Sequence, residues 1–170
     1  MNTSRLKLAG LFKAKCFAPD GNLKWQADAP NAVTHGGLKG ILDCMFHATA
    51  ASPTYYCGLL LTGAVLATSD VMTDAGHPGW TEDKSYAGNR KEWTEGASVA
   101  TTTGVSMTNA VSMDFVMNAV KTIAGAFLVS NATLGTAEFL FCTAAFSGGD
   151  QVVGIGDTLK VTYTVSGAPA

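Results

Sequence analysis

Helical periodicity occurs in one stretch of this chain. Between Asn31 and His47, Leu38, Ile41, Leu42, Met45 and Phe46 recur at intervals of three and four, the spacing that gathers apolar side chains on one face of a helix. Elsewhere, apolar runs of strand length are separated by clusters of Gly, Pro, Asn, Asp and Ser, which set turns. Such a chain folds mainly as β-structure around a lone helix, predicted over Gly36 to Phe46 with Asn31 or Thr34 as its cap. The apolar stripe needs cover, and the strands that follow supply enough β-surface to give it. The helix is therefore expected to be a lid on its own core, and Leu42→Asp to unfold the protein.

The strand signals are taken in chain order. Arg5 to Cys16 mixes Leu6, Leu8, Leu11 and Phe12 with Lys7, Lys13 and Lys15, the broken alternation of a strand with one wet face; lysines there also blunt an edge. Ala18 to Asn22 is a turn, and Leu23 to Ala27 returns as the second arm of a hairpin, ending before Pro30. Thr54 to Leu61 is apolar almost throughout, as in a central strand buried on both faces. Ser98 to Met107, Val111 to Met117, Val120 to Val129 and Glu138 to Phe146 follow, with a turn at Asn109 and a link from Ser130 to Gly135. Behind Gly156-Asp157, Leu159, Val161, Tyr163 and Val165 share one face of a closing strand. About eight or nine strands at this spacing indicate a mainly β fold, a two-sheet antiparallel β-sandwich with one short α-helix packed on it. Residues 1–170 form a single domain. Residues 1–17 are its first strand or an assembly arm.

Composition narrows the function classes. Charged residues are 14% of the 170-residue chain and apolar ones 47%, so the surface is finished largely with Thr, Ser, Ala, Gly and Asn. Sparse charge makes wide surfaces cheap to desolvate, which suits a protein packed against neighbours. A net charge of −2 offers no basic footprint for nucleic acid. No apolar run approaches the roughly 20 residues of a membrane-spanning helix, and the early alternation at the N-terminus leaves no room for a signal peptide's core, so it reads as mature sequence. Cys16, Cys44, Cys57 and Cys142 lack metal-ligand spacing and read as reduced core thiols.

No constellation for catalysis emerges. Asp70, Asp74, Glu82, Asp83, Glu92, Glu95 and Asp157 all sit in or beside turns, where carboxylates cap backbone N–H groups. His35, His47 and His77 are too scattered for a metal site, and no nucleophile elbow or zinc-binding helix is present. Gly154-Ile-Gly156 precedes a strand, the wrong setting for a nucleotide loop. The long irregular stretch 62–96 remains as a candidate contact loop. It carries Trp80, Tyr86, Arg90 and Trp93, residue types that dominate binding hot spots. Two readings stay open: the loop meets a partner, or its aromatics fold back to plug their own sandwich. Under the first, Trp93→Ala would leave the protein folded and loosen its assembly.

The landmarks in order are Asn31-x-Val33-Thr34-x-x-Gly37-Leu38-x-x-Ile41-Leu42-Asp43-x-x-Phe46, then Tyr56-x-Gly58-Leu59, Asp70-x-Met72, Gly79-Trp80-Thr81-Glu82, Tyr86, Arg90 and Trp93. Gly125-Ala126-Phe127-Leu128, Phe141 and Gly156-Asp157-x-Leu159-x-Val161-Thr162-Tyr163 complete the series. Over most of the chain after residue 30, this series resembles a group of small virion proteins of tailed bacteriophages. The resemblance implies a non-enzymatic capsid cement or decoration protein with a jelly-roll-like sandwich and no catalytic residues, metal or cofactor. Its expected partners are further copies of itself, as a dimer or trimer, and the major capsid protein, with no nucleic acid or membrane. It would be assembled in the bacterial host cytoplasm and sit on the capsid exterior. A tail, neck or fibre component, acting as adaptor or receptor binder, is the alternative within the virion. A carbohydrate-binding sandwich stacking sugars on Trp80, Tyr86 or Trp93 is the alternative outside it.

Overall fold

The computed structural model describes residues 6–47, 53–73, 77–134 and 139–169. The five N-terminal residues, the turn expected at Asp74 to Gly76, Gly135 at the end of its link, and Glu138 lie outside the described residues. Among the described residues, thirteen strands form two antiparallel sheets of six and seven strands, with one α-helix, a two-sheet β-sandwich.

The first sheet is built on β1 (Leu6–Phe17) and β13 (Thr158–Pro169), which pair over their whole length. β2 (Leu23–Pro30) flanks β1, and β8 (Gly104–Thr108) and β9 (Met113–Val116) flank β13, with β7 (Val99–Thr101) outside β8. The second sheet runs from β3 (Ala32–Val33) through β11 (Leu140–Ala145) and β10 (Lys121–Val129) to β4 (Tyr56–Leu61). β5 (Glu82–Asp83) and β6 (Lys91–Glu92) pair with β4, and β12 (Gln151–Val153) with β10. Two expectations shift. Ser98 to Met107 is a hairpin rather than one strand, because the chain turns between Thr101 and Gly104. β2 continues to Pro30, since an edge strand tolerates a residue without an N–H.

The second sheet is buried on both faces, which explains the unbroken apolar character of its middle. Toward the first sheet, Cys57, Leu59, Ile123, Ala126 and Leu128 join Phe12, Phe115, Leu159, Val161 and Tyr163 in the main core. On the far side, Leu60, Ala124, Phe127, Val129 and Leu140 meet Met72 and Trp80 from the long loop, with Ala64 and Leu66 behind them. Strand alternation alone would put Ile123 and Leu128 on opposite faces. A register shift between Ile123 and Gly125 resets the phase so that both point inward. Gly125 is required at that shift: a Cβ there would stand 1.9 Å from the Ala144 carbonyl oxygen.

One buried carboxylate ties the ends of the chain together. Asp157 accepts hydrogen bonds from the Gly154 N–H at 2.6 Å and from Lys24 Nζ at 2.5 Å, linking the turn before β13 to β2. Burial works to raise its pKa, but the bonds from Lys24 and Gly154 outweigh this and hold it below the usual carboxylate range. Burial, together with the Asp157 charge, pushes the neighbouring Cys16 up to about 11, so it remains a thiol near neutrality.

Gly125→Ala is expected to cost about 1–3 kcal/mol by overpacking, read as a lower urea midpoint, whereas Gly148→Ala, with open space around it, leaves the midpoint in place. Because the folded pKa of Asp157 is depressed, its stabilisation is complete above about pH 4, the unfolded value, and is lost as the pH falls through the folded value. Asp157→Asn should therefore lower stability at neutral pH and flatten the acid limb of the stability curve.

Candidate interaction surface

The four loop residues singled out by type do not form one exposed patch; all are buried in their own chain. Trp80 lies in the outer layer, its ring 5.3 Å from that of Phe127, its Nε1 donating to Asp70 at 2.9 Å, and the His77 ring stacked on it at 3.9 Å. Arg90 approaches Phe127 as well, with its guanidinium carbon 5.5 Å from the ring centre. It donates from Nε and Nη2 to the two carboxylate oxygens of Glu82 at 2.7 and 2.8 Å, and from Nη1 to the Asn131 carbonyl at 2.9 Å. Such a fork satisfies a buried charge that would otherwise cost several kcal/mol. Tyr86 and Trp93 belong to the main core. Tyr86 sets its edge against Phe115 at 4.8 Å, and Trp93 donates to the Tyr163 carbonyl at 3.3 Å.

Of the two readings of the loop, the burial agrees with the second: in this fold the four side chains plug the sandwich and clad its second sheet. The same burial leaves none of the three rings open to stack on a sugar. Within the loop, strands β5 and β6 hydrogen-bond to β4 and bring Glu82 and Arg90 together.

The apolar surface lies on the helix. α1 (His35–Leu42) starts at Thr34, whose Oγ1 accepts the Gly37 N–H at 2.9 Å and donates to the Leu140 carbonyl at 2.6 Å, pinning the helix to β11. It docks through glycines. A Cβ at Gly37 would stand 2.2 Å from the Phe141 carbonyl oxygen, and one at Gly40 2.2 Å from the Phe139 ring. The glycine face therefore points inward, and of the five stripe residues only Ile41 packs on the main core. Leu38, Leu42, Met45 and Phe46 are 43%, 57%, 67% and 77% exposed. The expectation of a lid is overturned for these four: the close approach of Gly37 to the Phe141 carbonyl and of Gly40 to the Phe139 ring takes the inner face from the larger side chains. After Leu42 the helix widens into a π-helical turn, Asp43–His47, a form often found at functional positions. The three glycines on the face opposite the stripe were the sequence signal for this orientation.

On the glycine side of α1 is a cleft of about 310 Å³, lined among others by Gly36, Gly40, Tyr55 and Phe139, with Lys39 and Asp43 also in its wall. Lys39 and Asp43 form an ion pair one turn apart. The helix thus carries an exposed apolar ridge on one side and, on its glycine side, a cleft bordered by one charge of each sign; the ridge suits the binding of protein surface. Among the described residues, no group of three or more His, Cys, Asp or Glu side chains is placed to hold a metal ion, and no helix is long and apolar enough to cross a membrane. No protein-family model matches the chain, and no curated protein is significantly similar to it.

The burial pattern reverses the two substitutions considered from sequence. Trp93→Ala is expected to lower stability by about 3–5 kcal/mol, whereas Leu42→Asp is expected to stay within about 0.5 kcal/mol of the parent. Chemical denaturation of both variants checks this, and an unfolded Leu42→Asp protein would return that side chain to the core.

Proposed function

We propose that this protein is a structural component of a tailed-phage virion, a cement or decoration protein that binds assembled capsids and bridges neighbouring major capsid subunits. The observation that carries the reading is the exposed apolar face of α1 and its π-turn. Four large side chains stand in solvent within one short segment, more closely grouped in the chain than the other exposed apolar residues such as Leu6, Val65, Val111 and Ile155, and apolar surface gathered in this way marks interaction sites. The landmark series from Asn31 to Tyr163 supports the virion setting by its resemblance, and the low charge content favours broad, easily desolvated contact. Mechanically, the sandwich acts as a rigid block. Each contact is modest, and many copies on a symmetric lattice add up, as linked weak contacts do.

The measurement is capsid resistance to heat and osmotic shock, with and without the protein. Added protein should raise the temperature at which capsids open, and a Phe46→Glu variant, altered only at an exposed position, should bind less and protect less. Unchanged resistance at full occupancy rejects the cement role.

A further inference from the structure

We infer that the outer face of the first sheet is a second docking surface, built around Lys13, Lys15 and Lys160 and suited to the acidic surface of a partner protein. The inference stands apart from the assignment of α1 to contact, and it supplies the second surface that a protein bridging two neighbours needs.

Strand register gathers the lysines. Along β1, Ala14 and Cys16 are buried in the main core, while Lys7, Lys13 and Lys15 point the other way into solvent. Lys15 is directly opposite Lys160 of β13, with Gln26 of β2 on its other side, and Lys13 lies between Asp28 and Thr162. Opposed Cβ atoms are about 5 Å apart, and residues two apart on one strand about 7 Å. Lys160 is bonded to Asp114 at 2.7 Å. Lys7, Lys13 and Lys15 make no ion pair among the described residues.

This arrangement works against the fold. Like charges directly opposite one another on neighbouring strands destabilise a sheet, and only 14% of the chain is charged. The neighbouring outward positions of β13 hold Thr158, Thr162 and Thr164, neutral side chains that suit a wet strand face equally well. The opposition of Lys15 and Lys160 is relieved when carboxylates from outside stand over it.

Charge distribution names the partner. Four lysines against Asp28 and Asp114 give this face +2 on a chain of net −2, which leaves −4 for the remainder. An acidic surface is therefore repelled by the rest of the molecule and drawn to this face, which sets the orientation of approach. The two acids favour protein over polyphosphate. A run of phosphates would lie against Asp28 and Asp114 as well as the lysines, whereas a protein surface carries both signs and can set an amide or ammonium there. Among the described residues the face also has no arginine, the side chain best matched to phosphate.

A fluorescently labelled oligoglutamate peptide, titrated with the full chain at about 0.1 M salt, where charges more than about 10 Å apart are screened, should bind saturably and be released as salt is raised. Lys15→Glu should weaken this about tenfold, because an attractive contact becomes repulsive. Its melting temperature should be unchanged or higher, since the new glutamate faces Lys160 as an opposite-charge pair. Lys84→Glu, the same charge change on the long loop, and Phe46→Glu on the π-turn should both stay within about twofold of the parent. Absence of saturable binding, an equal loss in Lys84→Glu or Phe46→Glu, or a lower melting temperature for Lys15→Glu overturns the inference. Tighter binding of duplex DNA or of phosphatidylserine vesicles than of the peptide overturns it as well. A chain that binds the peptide through Lys15 yet leaves capsids unprotected removes the cement role and keeps this surface.

Discussion

The architecture depends on strand β10 being buried from both sides. A strand in that position needs apolar residues on both faces and a layer on each to cover them. The first sheet supplies one layer. The other is made by the long loop, whose Met72 and Trp80 lie over Ala124, Phe127 and Val129. Two of the loop's buried polar side chains help it do this: Asp70 takes the indole N–H of Trp80, and Glu82 takes the fork of Arg90. Gly58 contributes by absence, since a Cβ there would stand 2.3 Å from the Phe127 ring that lies over it. A stretch that looks like a flexible excursion in sequence is therefore a third layer of the fold.

That use of the loop moves the interaction surface elsewhere. With Trp80, Tyr86, Arg90 and Trp93 committed to internal contacts, Leu38, Leu42, Met45 and Phe46 on α1 and its π-turn stand among the large apolar side chains left in solvent. The same physical rule produces both results. A strand backbone can be approached most closely by glycine, so α1 sits on β11 through Gly37, with Gly40 against the Phe139 ring, and turns its leucines outward. Close packing of backbone thus competes with burial of side chains, and in this helix the backbone contact decides the orientation.

Much of the fold was legible in the sequence because strand signals are local. The β13 alternation of Leu159, Val161 and Tyr163, the two-sided burial of Tyr56 to Leu61 and the turn at Ala18 to Asn22 each follow from a few neighbouring residues. The site was legible only in part. The amino-acid types in the 62–96 loop singled out large aromatics and an arginine that the fold buries, but type does not say whether such a residue holds a partner or its own chain. The helix was located from its period, yet the period gives the stripe and not the direction in which it points.

By itself, the sequence determined that the chain is mainly β, that one helix interrupts it between Asn31 and His47, and that its surface is poor in charge. Local backbone preference and periodicity suffice for those conclusions. Tertiary structure alone decided which face of α1 is buried, that the long loop clads the second sheet, and that Glu82 and Arg90 meet as a buried pair. Those outcomes depend on contacts between residues far apart in the chain, Gly37 with Phe141, Trp80 with Phe127, Arg90 with Asn131, and such distances exist only once the sheets have formed. The apolar stripe of the helix is written in the sequence; its exposure is a property of the fold.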